Sequence, residues 1–204
     1  MKAKKTKSAY KPQGSKKTSA LTLDQFTYVI DELRDNGDTR MEIICLLMAK
    51  CVRIGDVLKT LTIRDVFTPN GEVRAEANFK EEKTGKPKKI KLGSSIRLVK
   101  CLEAHYPEIK QIPVSSSLFY AKKTGTALQD KGVKKILGQF VGKRGIEQCS
   151  PHSFRKFGAR YLLDNGVDIE KISQILNHSH VRETRTYLDV KPKEIEEVME
   201  LLAF

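Results

Sequence analysis

PHSFRKFGARYLLDNGVDIEKISQILNHSHVRETRTYLDV, from Pro151 to Val190, is the part of the chain whose reading decides the rest. Helical spacing runs through Pro151–Asn165 and Ile169–Leu176, with Asn165-Gly166 as a stop between them. A short turn of helix is expected around Glu183–Tyr187. His152 and Arg155 are three apart, so on a helix they share a face. His178 follows after a short helix and a turn, and Tyr187 lies nine residues beyond it. These are spacings that suit one phosphate. Phosphoryl transfer without a metal needs cations for the charge, a proton donor and a nucleophile. The stretch can supply these, but it lacks a second cationic clamp and an acid for the leaving group.

Upstream, Thr22-Leu23-Asp24-Gln25 has the form of a capping box, followed by Leu23, Phe26, Ile30 and Leu33 at helical spacing. Asn36-Gly37 stops that helix, and a second apolar one runs from Thr39 to Ala49. Arg53–Leu58 opens a further short helix with Val57, Leu58 and Leu61 facing inward. Thr62–Phe67, Val73–Phe79 and Lys89–Leu92 alternate or carry β-formers, with Pro69-Asn70-Gly71 and Thr84-Gly85 as turns. These predict a small antiparallel sheet of three strands. Ser94–His105 and Asp130–Val141 read as helices joined by a long connection, and Pro192–Leu202 as a last helix. The predicted fold is mainly α with a small three-stranded antiparallel sheet set between helices.

Lys and Arg number 38 against 25 acids, a formal charge of +13 over 204 residues. Residues 1–20 hold seven lysines and no acid, so that segment supplies seven of the thirteen charges. Its lack of large apolar residues reads as a disordered basic arm. The remainder is still basic, which points weakly to a polyanion such as nucleic acid. No apolar run is long enough to cross a bilayer, and the N-terminus has no secretory signal. A cytoplasmic, nucleoid-associated protein with no membrane partner is expected. Cys45, Cys51, Cys101 and Cys149 are scattered and read as buried, reduced thiols. No metal, cofactor or glycine-rich phosphate loop is expected.

Several ordered motifs resemble those of the tyrosine recombinases, the phage-integrase type. Met48–Leu58 (MAKCVRIGDVL) is similar to the family's first-arginine box, and Lys83–Leu92 (KTGKPKKIKL) to its lysine-bearing β-hairpin. His152-Ser153-Phe154-Arg155 matches the His-x-x-Arg box. Leu176-Asn177-His178 and Tyr187 match the last histidine and the nucleophile. The resemblance begins near Leu21 and runs to the C-terminus. It implies a catalytic domain over 21–204, preceded by the arm.

The resemblance assigns roles residue by residue. Arg53 and Arg155 would clamp the non-bridging oxygens, a task suited to a planar, always-charged fork. Tyr187 would attack phosphorus and form a 3′-phosphotyrosyl link, with His152 taking its proton or assisting the group that does; free tyrosine has a pKa of roughly 10. His178 would donate to a non-bridging oxygen, and Lys83 would protonate the departing 5′-oxygen. Lys86, Lys88 and Lys89, which lie near Lys83, read as contacts to neighbouring phosphates or as a solvated face. Tyr161 reads as core packing and His180 as an exposed imidazole. Asn177 replaces the usual glycine of Leu-Gly-His, and Asp56 a common glutamate; asparagine tolerates the left-handed conformation.

By resemblance the reaction is site-specific recombination of double-stranded DNA by two transesterifications, with neither ATP nor metal. It implies a homotetramer on DNA; the amphipathic C-terminal segment reads equally as docking on a neighbour or as packing on its own domain, and an accessory directionality factor is a further partner in view. Only the basic arm precedes the catalytic segment, which resembles the short single-domain members that lack a core-binding domain. The alternative is a catalytically silent DNA-binding regulator that has kept the fold.

Overall fold

A computed structural model describes residues 19–121, 124–146 and 149–190. Most of the expected arm and the expected helix Pro192–Leu202 lie outside the described residues. The elements in order are α1 (Leu23–Asp35), α2 (Thr39–Ala49), a π-helical turn (Asp56–Thr60) and α3 (Ile63–Val66). Then come β1 (Glu76–Lys80), β2 (Pro87–Lys91), α4 (Ile96–Ile109), β3 (Tyr120–Ala121) and β4 (Thr126–Ala127). The remainder is helical: α5 (Asp130–Gly142), α6 (Pro151–Asp164), α7 (Ile169–Ile175) and α8 (Val181–Leu188).

Helix α1 begins where its capping box closes: Gln25 N donates to Thr22 Oγ1 (3.2 Å), and Thr22 N to Gln25 Oε1 (3.0 Å). Helix α2 is buried from Met41 through Met48, so it forms the central column of the core. Helices α1, α4 and α6 pack around it. The approach of α6 is set by Gly158, where an added Cβ would lie 1.8 Å from the Ala49 carbonyl oxygen. Phe26 of α1 stacks on Phe157 of α6 with centroids 4.1 Å apart, closing that face.

The sheet differs from expectation. β1 and β2 form a two-stranded antiparallel ribbon, with Glu76 opposite Lys91 and Lys80 opposite Pro87. The third expected strand, Thr62–Phe67, is instead one turn of helix flanked by single bridges, Thr62 to Ser117 and Phe67 to Val73. Asp65 decides this, because its Oδ2 accepts from both Thr62 N (2.9 Å) and Thr62 Oγ1 (2.5 Å). Ile63 and Val66, three apart, then face the core together. Within the long connection, β3 and β4 form a second short hairpin that the sequence reading did not contain.

A second, smaller cluster of buried residues lies beside the main core: Cys51, Ala159, Ile172, Leu176 and Leu188, with Tyr187 packed against it. It joins the end of the α2 region to α6, α7 and α8. The Pro151–Val190 stretch is thus seated on its own apolar footing. No helix among the described residues is long and apolar enough to cross a membrane.

Candidate active site

Ser150 is the N-cap residue of α6, its N–H donating to Ser153 Oγ (3.1 Å), and Pro151 occupies the first turn. That start aims two residues of α6 differently. His152 is exposed on the first turn, whereas Arg155, one turn on, is only 3% exposed. Arg155 Nη2 donates to the Leu176 carbonyl (2.9 Å), while Nη1 is buried with no partner. Tyr187 Oη is buried and unpartnered as well.

Arg53 stands just before the π-helical turn, and its Nη1 is paired with the Glu81 carboxylate of the β1–β2 hairpin. Arg155 is held below the ordinary guanidinium range by burial and then by repulsion from Arg53. Two arginines close enough to repel, one with a buried unfilled donor, make a site that an anion would satisfy.

Helix α7 is capped by Asp168, whose Oδ1 accepts from Glu170 N (2.7 Å). It ends in a turn with Asn177 at φ 55°, the left-handed conformation expected for this glycine substitute. His178 follows, its Nδ1 2.9 Å from Oγ1 of the fully buried Thr184, which leaves Nε2 for the site. The imidazole meets the Tyr187 ring edge-on, centroids 5.6 Å apart and planes at 84°. Helix α8 ends at Asp189, also left-handed, which pairs with Lys156 of α6.

Burial shapes the proton chemistry. It pushes the Tyr187 phenol up to about 12, against a downward pull from Arg155. His178 is lowered from 6.5 by burial and then by Arg155. His152 is likewise lowered, by crowding from its neighbours and then by Arg155 and Lys134, although part of its ring meets solvent. Both imidazoles are therefore neutral at pH 7, and one can accept a proton that Tyr187 would not give up unaided.

The hairpin is docked across this group. Glu82 N donates to Asp56 Oδ1 (2.8 Å), and Lys59 pairs with Glu82 (2.6 Å). Asn177 Nδ2 donates to the Pro87 carbonyl (3.1 Å), and Lys86 Nζ lies 3.4 Å from the Asn177 carbonyl. Lys83 is exposed in the turn, and Lys89 is exposed and paired with Glu76 (2.9 Å).

Lys88 departs from its expected place at the surface. It is 6% exposed, and its Nζ donates to the Ile175 carbonyl. The alternation of β2 explains this, because Lys88 and Ile90 share the inward face. Tyr161 departs too: it is 47% exposed, at the edge of Phe157, not core. His180 is exposed at the start of α8, as expected.

Thus Arg53, Arg155, His178 and Tyr187 converge, with His152 beside Arg155 and Lys83 on the turn that docks against them. Sequence reasoning missed Glu81, Thr184 and the Lys156–Asp189 pair. The only signal for Glu81 was a carboxylate in a lysine-rich hairpin. A groove of about 590 Å³, lined by Lys50, Lys88, Lys89, Lys91 and Lys171, lies between β2 and α7, away from the tyrosine.

Residues 19–194 match the Phage integrase family. The chain is similar to tyrosine recombinase XerD of Staphylococcus epidermidis, 27% identical over 168 residues, covering 81% of this chain and 55% of that protein. The chain therefore spans about half the length of this curated relative. Among solved structures it resembles XerA recombinase, with a TM-score of 0.69 and 23% identity over 91% of this chain and 65% of that one. It also resembles the XerH site-specific recombinase bound to difH in a pre-cleavage complex, with a TM-score of 0.69 and 19% identity, covering 95% of this chain and 57% of that one. Matched along most of its length and sharing this fold, the chain belongs to the phage integrase family.

Proposed function

We propose that this chain is the catalytic part of a site-specific DNA recombinase, with residues 21–204 as the catalytic domain and residues 1–20 as a basic DNA-tracking arm. The observation that carries the reading is the pair of buried, unpartnered atoms, Arg155 Nη1 and Tyr187 Oη, beside a second arginine. Buried donors without partners are costly, so a site that keeps them is built for a ligand. A DNA phosphodiester matches them in charge and geometry.

In this reading Arg53, Arg155 and His178 hold the non-bridging oxygens. Tyr187 Oη attacks phosphorus as its proton passes to His152. The bond from phosphorus to the 5′-oxygen breaks, and Lys83 protonates that oxygen. The partner strand's 5′-hydroxyl then attacks the phosphotyrosine and gives its proton to Lys83, while the bond from phosphorus to Tyr187 Oη breaks and His152 returns the proton to that oxygen, so the phosphodiester energy is conserved and no ATP is consumed. Two such exchanges require four protomers on DNA, with the C-terminal segment bridging neighbours.

The test is covalent trapping. A pool of nicked duplexes of randomised sequence is incubated with the protein and resolved on a denaturing gel. A protein–DNA band that disappears in Tyr187→Phe is expected. Sequence-selective binding with no such band from the wild type would overturn the reading in favour of a silent DNA-binding regulator.

A further inference from the structure

We propose that Glu81 is a positioning residue, holding Arg53, the Lys83 turn and the His178 turn in one arrangement around the phosphate. The inference rests on the recombinase reading of the site. Glu81 lies on no motif, yet it is 2% exposed, one of the few carboxylates buried among the described residues. A buried carboxylate is costly unless it is fully engaged.

Its contacts are distributed over three separate segments. Oε2 takes Arg53 Nη1, from the loop before the π-helical turn. The same oxygen accepts from Thr84 Oγ1 (2.7 Å), the residue next to Lys83. The side chain of Asn177, the residue before His178, also acts on it as a donor. Burial alone would push this carboxyl up, but Thr84 and Arg53 hold it below its ordinary range, so it is charged at neutral pH.

The backbone of Glu81 fixes the turn as well, donating to the Lys86 carbonyl (3.0 Å) and accepting from Gly85 N (2.8 Å). One carboxylate therefore cross-links the arginine that would clamp the phosphate, the lysine that would protonate the leaving oxygen and the histidine turn. Asp56 does not do this work: it faces Glu82 N, and its Oδ2 is buried without a partner. With Nη1 taken by Glu81, Arg53 keeps its remaining N–H donors for the ligand, in a fixed plane. Small displacements of such groups are expensive, because catalysis depends on their being placed before reaction.

The experiment follows adduct formation on the trapped duplex under single-turnover conditions, together with the Arg53 guanidinium resonances by NMR. Glu81→Ala is expected to slow adduct formation about a hundredfold, while noncovalent binding of the same duplex is unchanged or tighter. Glu81→Gln retains an acceptor oxygen and should stay within roughly tenfold of the wild type.

The combined Arg53→Ala, Glu81→Ala variant should be slower than Arg53→Ala alone by much less than Glu81→Ala slows the wild type, since a large part of the Glu81 effect passes through Arg53. If Glu81→Ala does not fold, Thr84→Val removes one tie and should slow the adduct step without changing duplex affinity. The Arg53 guanidinium should rotate slowly in the wild type and freely in Glu81→Ala. Losses that multiply in the double variant, or an Arg53 signal indifferent to Glu81, would overturn the proposal. A wild type that forms no adduct would overturn the recombinase reading instead, and the Arg53 resonance would still decide the role of Glu81.

Discussion

Lys156 donates to Asp189, and this ion pair ties the helix that carries Tyr187 to the helix that carries Arg155. Lys156 is almost buried and its ammonium lies 6.0 Å from the centre of the Tyr187 ring, so the tie borders the proposed nucleophile itself. Helix α8 is only eight residues long and rests on the small apolar cluster, so polar ties account for much of its placement.

Asp189→Asn removes the charge but keeps a residue that accepts the left-handed backbone. Asp189 is 43% exposed, so solvent screens the pair and its loss should cost about 1 kcal/mol. The thermal midpoint is expected to fall by about 3 °C. The adduct rate should fall further than that, about tenfold, because Tyr187 becomes less well placed. A melting curve and a single-turnover trapping assay check both; an unchanged rate would remove Lys156–Asp189 from the account.

The pH profile follows from burial. His152 and His178 are lowered from 6.5, so both stay neutral as the pH falls through that value. Adduct formation is expected to hold down past pH 6.5 and to decline only on its acid side. The unfolded chain protonates these histidines before the folded one does. Their contribution to stability is therefore complete above the unfolded value and is lost as pH falls through it toward the folded values. At the alkaline end, Tyr187 lies at about 12, so the rate should not climb with phenolate formation near pH 10. A rate that rises across that region would contradict a buried, protonated nucleophile.

Gly158→Ala would place a methyl group 1.8 Å from the Ala49 carbonyl oxygen, which is backbone and cannot step aside. Helices α2 and α6 would have to separate, at about 3 kcal/mol, the upper end of ordinary overpacking. Chemical denaturation should show this loss with the slope unchanged. A neutral substitution would mean that the two helices do not meet as closely as described.

Asn177 gives a graded test of the turn before His178. Asn177→Gly keeps the left-handed backbone and loses the bond to the Pro87 carbonyl, for about 1 kcal/mol. Asn177→Val loses that bond and adds about 1–2 kcal/mol of backbone strain. Thermal midpoints should fall in the order wild type, glycine variant, valine variant. Equal midpoints for the two variants would contradict the left-handed assignment.

Much of this architecture could be read from local signals. The capping box at Thr22, the Asn-Gly stops and the apolar spacing placed α1, α2, α6 and α7 because each is decided within one or two turns. The motif spacing singled out Arg53, Arg155, His178 and Tyr187, which the fold then brings together. Thr62–Phe67 misled because four helical residues are too few to display a period, and one aspartate settled the matter.

Other features were invisible for a different reason. Glu81, Thr184 and the Lys156–Asp189 tie gain meaning only from partners elsewhere in the fold. Lys88 looked like one more surface lysine until strand pairing assigned it to the inward face.

The most direct test is to locate the residue that becomes bound to DNA. Adduct from the trapping reaction would be digested with nuclease and protease, and the modified peptide sequenced by tandem mass spectrometry, with Tyr187→Phe and Tyr161→Phe run in parallel. The account predicts a nucleotide on Tyr187, full adduct formation in Tyr161→Phe and none in Tyr187→Phe. A nucleotide on any other residue, or adduct persisting in Tyr187→Phe, would contradict it.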